Sequence, residues 1–545
     1  MHRIRKVKCD EARPSCDRCT STGRTCDGYG VWGSRSPGTP KPTNIPLAPV
    51  LVSSLITSTD EKRCFEWFRC RSAKKVQGIF VSRFWDTLVF QACTDEPAVL
   101  HATLALSSIH RIEATDNKIC SPKTREAKPD SQEVFTLQQY LKAINHLHPH
   151  FSARNRASLR VALITCVLFI CLEFFRGHNQ TAQTHLRNGL KILDDIQSYR
   201  NNASSRSLTS NLRGDSDDDW IAVALFRLHV QVGLFNEGYR NASVVFRPLK
   251  YEPPPAKFRL ILEARNHLDR LMNRIVHMTE IGYQQEHEAD EMNNLELINR
   301  QRLIIADLNS WLTAYGSSKA AMLAENPVRN AFAYAILYLQ YIMAKIMIHT
   351  CLWPTRDSIF DLRTEDFVSL LSVAINLRSA SRSASEVLLG STDGMSKSMA
   401  DIGWIPALYY TAIKCRIHRI RLQAVKLLES TTPHREGIWD GEILSRVARK
   451  VMEIEERDFY SDVYATDDFY IGSYPEKRDF LLPALPNTHR MHEVRVLLAD
   501  DPLGNTVLLC KRKEDDGSWT VIANEFDSLS QCWREVKDEL VQYKH

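Results

Sequence analysis

The 545-residue chain lacks any apolar run long enough to cross a bilayer. Its longest, Val161 to Leu172 (VALITCVLFICL), is 12 residues, against the roughly 18–20 that a membrane helix needs, and it reads as a buried core helix. The N-terminus is basic but no apolar segment follows it, so it does not read as a secretory leader. Fourteen cysteines are too few in so long a chain to frame a disulfide scaffold. These absences point to a reducing intracellular compartment, where clustered cysteines mean metal or catalysis. Catalytic signatures are missing as well. There is no G-x-S-x-G, no phosphate loop and no dinucleotide fingerprint, and the chain is expected not to be an enzyme. No repeat of 20–50 residues is visible, which excludes a solenoid reading.

What is present is an ordinary globular composition, 44% hydrophobic and 25% charged, with ample apolar material for a large core. The net charge is only +5, but residues 1–30 carry seven basic and four acidic side chains, a net +3. A basic end on a nearly neutral body is suited to meeting a polyanion. The same stretch holds Cys9, Cys16, Cys19 and Cys26, spaced C-x6-C-x2-C-x6-C with Pro14 between the first two. Two-residue spacing lets a pair of thiolates grip one tetrahedral zinc. Six-residue spacing leaves room for a short helix, and Arg3-Ile4-Arg5-Lys6-Val7-Lys8 fills one such position. A helix this short draws its folding energy from the metal, on the order of 10–16 kcal/mol in structural zinc peptides.

Residues 29–62 are rich in Pro, Gly and Ser and read as a flexible linker. From about Arg63 apolar residues recur at three- and four-residue steps, the pattern of a large helical body. SQEVFTLQQYLKAINHLHPHFSA predicts an amphipathic helix ended by Pro149. SLRVALITCVLFICLEFFRG predicts a central helix closed by Gly177. WIPALYYTAIKCRIHRIRLQAVKLLEST and HREGIWDGEILSRVARKVMEIEERDF each read as one helix. Near the end the period changes. HEVRVLLAD, NTVLLCKRK and WTVIANEF are β-rich runs separated by turn residues, a small antiparallel meander of about three strands.

RIRKVKCDEARPSCDRCTSTGRTCDGY resembles the fungal-type binuclear zinc cluster of transcription factors. FVSRFWDTLVFQACTDEPAVLHATLALSSIH, ALITCVLFICLEFFRGHNQTAQTHLRNGLKIL and PHREGIWDG resemble the helical regulatory region of a subgroup of those factors. The resemblance therefore covers most of the chain. It implies a mainly α fold: a zinc-cluster DNA-binding module over residues 1–28, N-terminally incomplete, the linker over 29–62, and a helical regulatory domain over 63–545 with a β-rich element at about 485–530. Cys9, Cys16, Cys19 and Cys26 match the third to sixth cysteines of the module. His2 stands at the second position and the first is absent. In the family two zinc ions share six thiolates, the first and fourth cysteines bridging them. With four thiolates, at most one zinc is expected for this chain as written. Two explanations stand for the missing pair, a misplaced start with an upstream exon omitted, or loss of the ligands.

The resemblance further implies that the basic helix reads a CGG triplet in the major groove of double-stranded DNA. Arg5 and Lys6 correspond to the residues that meet the bases, and Arg3 and Lys8 are expected on phosphate. The expected function is that of a nuclear, sequence-specific regulator of RNA polymerase II genes, controlling a metabolic gene cluster and working with co-regulators or the transcription machinery. The alternative is a family member without autonomous DNA binding that acts through protein contacts of the helical body. No membrane role is expected. No heptad pattern follows Cys26, so no zipper sets an oligomeric state.

Other clusters read as structural. His146, His148 and His150 (HLHPH) lie at a helix end beside Pro149 and read as solvent-facing caps. His287-Glu288 opens like H-E-x-x-H, but Glu291 stands where the second histidine belongs. Asp215, Asp217 and Asp219 begin like a calcium loop, but Trp220 takes the place of the required glycine, so they read as an acidic linker before a helix. Cys166 and Cys171 read as core residues.

Overall fold

Ser58 starts the helical body. Its side chain accepts from the Glu61 amide at 3.1 Å, and Glu61 reaches back to the Ser58 amide at 3.3 Å. This reciprocal capping box begins α1 (Thr59–Trp67), inside the stretch that composition assigns to the linker. The computed structural model describes residues 55–115, 131–153, 155–203, 216–235, 252–285, 294–324, 326–356, 358–389, 396–431, 433–461, 468–501, 503–514 and 516–536.

α1 passes through a π-helical turn, Phe68–Ser72, into α2 (Ala73–Val76). A second π-helical turn, Phe84–Leu88, leads into α3 (Val89–Asp95). α4 (Pro97–Thr115) packs along α5 (Ser131–Ala153) and against α6 (Arg156–Arg176). α6 is the expected central helix. Asn155 caps its start by accepting from Ser158, and Gly177, at φ 83°, ends it. All but one of its residues from Val161 to Phe175 are buried, and each large apolar side chain so buried contributes roughly 1.5–3 kcal/mol. α7 (Asn179–Ala203) lies against it, with Gly189 meeting Cys166. Cys171 is buried and Cys166 half-buried, its thiol donating to the His185 carbonyl.

Pro149 does not end α5, which runs on to Ala153. It lies in an exposed final turn, where losing one backbone hydrogen bond costs least. Asp217 and Asp219 are not linker but first-turn residues of α8 (Asp217–Phe235), where carboxylates complement the helix dipole. Asp218 between them pairs with Arg156 and Arg160.

The second half continues with α9 (Ile261–Gln285), α10 (Asn294–Ser317), α11 (Lys319–Leu323), α12 (Pro327–Thr350), α13 (Ser358–Asp361) and α14 (Thr364–Leu389). Counted as whole helices rather than as unbroken apolar runs, α6 and α12 are long and apolar enough to cross a membrane by length and composition, unlike the 12-residue run read from sequence, and most of the apolar window of each is buried in this body. The stretch read as one helix from Trp404 breaks at Cys415, whose ψ is 139°, into α15 (Ile405–Lys414) and α16 (His418–Thr431). Arg421 donates to the Ala412 carbonyl at 2.9 Å and Arg416 to that of Ile413, so two guanidinium groups satisfy the end of α15. HREGIWDG is likewise not helical. It forms a short hairpin of β2 (Arg435–Glu436) and β3 (Trp439–Asp440), turning at Gly437 (φ 60°), before α17 (Gly441–Glu456). β1 (Ser398–Met399) pairs with β2 in parallel.

The C-terminal meander has four antiparallel strands rather than three, in the order β4 (Glu493–Leu497), β5 (Thr506–Lys513), β6 (Trp519–Asp527) and β7 (Cys532–Glu535). Residues alternate in burial along β5, with Leu508 and Cys510 inward, as a half-buried strand requires. β7 is too short to show alternation in sequence.

Candidate functional site

All residues that the sequence assigns to metal and DNA, namely Cys9, Cys16, Cys19 and Cys26 with Arg3, Arg5, Lys6 and Lys8, lie outside the described residues, as do His287, Glu288 and Asp215. Among the described residues no group of three His, Cys, Asp or Glu side chains is placed to hold a metal. His146, His148 and His150 sit on α5, where alternate positions point about 200° apart. His146 stacks on His101, and His150 lies 3.6 Å from Glu96.

The structure instead brings together the three stretches of the body that the sequence singles out. The first ends at His110 on α4, the second covers the end of α6, and the third is PHREGIWDG. His110 is fully buried and stacks on Phe175, ring centroids 5.0 Å apart. Arg435 donates to the carbonyls of Phe175 at 2.7 Å and Phe174 at 3.1 Å. It also donates through Nε to Asp440 at 3.0 Å, and Asp440 in turn accepts from the amides of Glu442 and Ile443. One ion pair thus ends two helices. The guanidinium meets two carbonyls in the last turn of α6, of which that of Phe174 also accepts the Gly177 amide, and the carboxylate caps the first amides of α17, each favoured by the local dipole. Burial opposes the charged form of Asp440, but Arg435 and the two amides hold its carboxyl below the usual range.

Burial also pushes His110 down to about 3, with the nearby Lys75 charge adding to the effect. The ring is therefore neutral at physiological pH. Burial lowers Lys75 as well, while Glu113 and Glu436 act to keep it charged.

The elements meet on a largely buried strap, residues 396–404 (SKSMADIGW). Ser396 and Ser398 donate to the two oxygens of Glu113, at 2.5 and 2.8 Å. The Ala400 amide donates to Val76 O at 2.8 Å, and Gln231 Nε2 donates to Ala400 O at 2.8 Å. Asp401 Oδ1 accepts from Arg265 Nη2 at 2.7 Å. Gln340 donates to Gly403 O at 3.3 Å. Glu436, 1% exposed, accepts from the amides of Gly403, Trp404 and Ile405 at 2.7, 3.2 and 3.2 Å. Irregular backbone can be buried only if neighbours satisfy its polar groups, and here side chains from α4, α8, α9, α12 and β2 do so. Periodicity could not find this strap, because its partners are scattered along the chain.

Residues 3–31 match the fungal Zn(2)-Cys(6) binuclear cluster domain. Residues 70–214 match the fungal specific transcription factor domain. The chain is similar to the aspercryptin biosynthesis cluster-specific transcription regulator atnN of Emericella nidulans, 24% identical over 548 residues, covering 84% of this chain and 86% of the relative. It is also similar to the transcription regulator lscL of Purpureocillium lilacinum, 30% identical over 206 residues, covering 36% of this chain and 48% of the relative. No solved structure matches.

Proposed function

We propose that the chain, which matches the fungal zinc-cluster domain and the fungal specific transcription factor domain, is a member of the fungal zinc-cluster transcription factors and a nuclear, sequence-specific regulator of RNA polymerase II genes, acting on a metabolic gene cluster. The observation that carries this reading is the cluster match over residues 3–31 on a chain that aligns with a cluster-specific regulator over most of its length. In this reading residues 1–28 bind DNA, 29–62 act largely as a tether, and the helical body meets co-regulators.

The cluster domain is a zinc-binding one. Cys9, Cys16, Cys19 and Cys26 offer four thiolates, a donor set that suits one tetrahedral zinc. Zinc would supply the folding energy of the basic segment. Arg5 and Lys6 donate to guanine O6 and N7 of a CGG triplet, and Arg3 and Lys8 neutralise phosphates. His2 at the position of a family cysteine supports a second reading, a regulator that works through protein contacts of its helical body.

A gel shift of the full chain on a CGG duplex across a salt series tests the proposal. Binding that depends on the triplet and falls steeply with salt supports it. Equal binding to scrambled duplex, or none, favours the second reading.

A further inference from the structure

The helical body begins with a basic segment. Residues 60–75 carry six basic and three acidic side chains, while the residues after them carry slightly more acid than base. α1, the first π-helical turn and α2 run on as one helix over Thr59–Val76, about 27 Å long. Glu61, Phe65, Phe68, Ser72 and Val76 are buried along one side of it, at steps of three and four. Lys62, Arg63, Arg69 and Lys74 are exposed on the other, with Arg71 half-buried at the edge. The support is firm: the Cys64 carbonyl accepts from Ser107 of α4 at 2.7 Å, and Phe65 and Phe68 pack on Phe90. Asp60 and Glu66 are the acids on this face. They pair with Arg63 at 3.7 Å and Arg69 at 2.7 Å, exposed contacts worth about 0–1 kcal/mol that a phosphate can displace. Arg71 lies over the Trp67 ring at 4.7 Å, which orients its guanidinium without neutralising it. Lys75 lies near Glu113 and Glu436 and takes no part. A second basic run behaves differently, since Lys414, Arg416, Arg419 and Arg421 are all buried.

We propose that this helix face is a second DNA contact, seated on the phosphate backbone of duplex that flanks the site read by residues 1–28. The inference rests on the DNA-binding reading above. Charge and covalent connection together select DNA. Lysines and arginines spread along a helix face suit a row of phosphates and offer no readout of bases. The 30 residues from 29 to 58 cannot span more than about 100 Å, so a module on DNA holds that DNA near the face at an effective concentration on the order of 10⁻⁴ M or more. Non-specific phosphate binding has a Kd of about 10⁻⁴–10⁻⁶ M, so a contact too weak to act alone is occupied once the module has docked. It adds affinity without changing the triplet, and it fixes which side of the helical body faces the duplex.

The test measures binding of the full chain to two duplexes with the same CGG triplet, one of about 10 base pairs and one of about 40, across a salt series. Lys62→Gln/Lys74→Gln removes two exposed charges. On the long duplex this variant is expected to bind about tenfold more weakly than the unaltered chain, with a salt slope lower by about two. On the short duplex the two proteins bind alike. Lys62→Arg/Lys74→Arg keeps both charges and restores the affinity. Equal affinity and slope on the long duplex, with triplet preference intact, overturns the inference alone and leaves the face to an acidic protein partner. A loss that arginine does not restore, or an equal loss on both duplexes, reports a structural effect and overturns it as well. Absence of triplet preference in the unaltered chain overturns the DNA-binding reading and the inference with it.

Discussion

Glu436 accepts the amide proton of Gly403 at 2.7 Å. The contact fastens the hairpin of PHREGIWDG to the buried strap. The carboxylate also takes the amides of Trp404 and Ile405, so it stands where an N-cap side chain would for α15, whose own N-cap, Trp404, offers none. A side chain at Gly403 has no room, because a Cβ there would lie 2.7 Å from Glu436 Oε1.

Glu436→Ala therefore leaves three amides without their acceptor. The expected loss is about 2–4 kcal/mol, from hydrogen bonds to a charged group and the loss of a cap. Glu436→Gln, which keeps one acceptor oxygen, loses less. Denaturant unfolding of the full chain, followed by far-UV circular dichroism, measures both.

Glu61 ties the start of the helical body to α5. It accepts from Lys142 at 2.9 Å, Gln139 at 3.1 Å and the Thr57 amide at 3.0 Å. Burial raises its carboxyl, but these bonds more than offset that and pull it down to about 2 from 4.5. A carboxylate lowered on folding stabilises the protein fully above about pH 4.5, and its contribution fades as pH falls towards 2. Acid melts between pH 5 and 2 should show a loss on the order of 2–3 kcal/mol from this group. Glu61→Gln should be less stable at neutral pH and flatter across that window.

Gly282 on α9 faces the backbone of Cys351 just after α12. A Cβ there would lie 2.0 Å from the Cys351 carbonyl oxygen and 3.1 Å from Pro354 Cδ. Backbone cannot yield as a side chain tip can, so Gly282→Ala must push the two helices apart. A destabilisation of about 3 kcal/mol is expected, despite the better helix propensity of alanine. An unchanged melting temperature would contradict this packing.

The two ends of the protein should respond separately to metal removal. A zinc chelator is expected to abolish binding to CGG duplex while leaving the melting of the helical body unchanged, because the described residues contain no metal cluster. Arg5→Ala should cost about 1–3 kcal/mol on CGG and relax specificity at the triplet. Lys8→Ala should weaken binding to all sequences and lower the salt slope by about one. Gel shifts at several salt concentrations separate the two effects.

The sequence by itself determined the cysteine spacing, the basic run beside it and the helical class of the body, because each is written in near neighbours. Thiolates two and six residues apart and apolar residues three and four apart interact within one turn or one loop. Gly177 was legible as a helix stop for the same reason, since only a left-handed residue closes α6 there. Local signals also misled. Pro149 read as a stop but is tolerated in an exposed last turn, and the apolar run through Cys415 concealed a break held open by Arg416 and Arg421. Only the tertiary structure decided that Ser396, Asp401 and Gly403 form a buried strap. Their partners, Glu113, Arg265 and Glu436, lie far away in sequence. Burying an irregular segment depends on hydrogen-bond partners that no periodicity encodes, so that part of the molecule became readable only once the chain had closed around it.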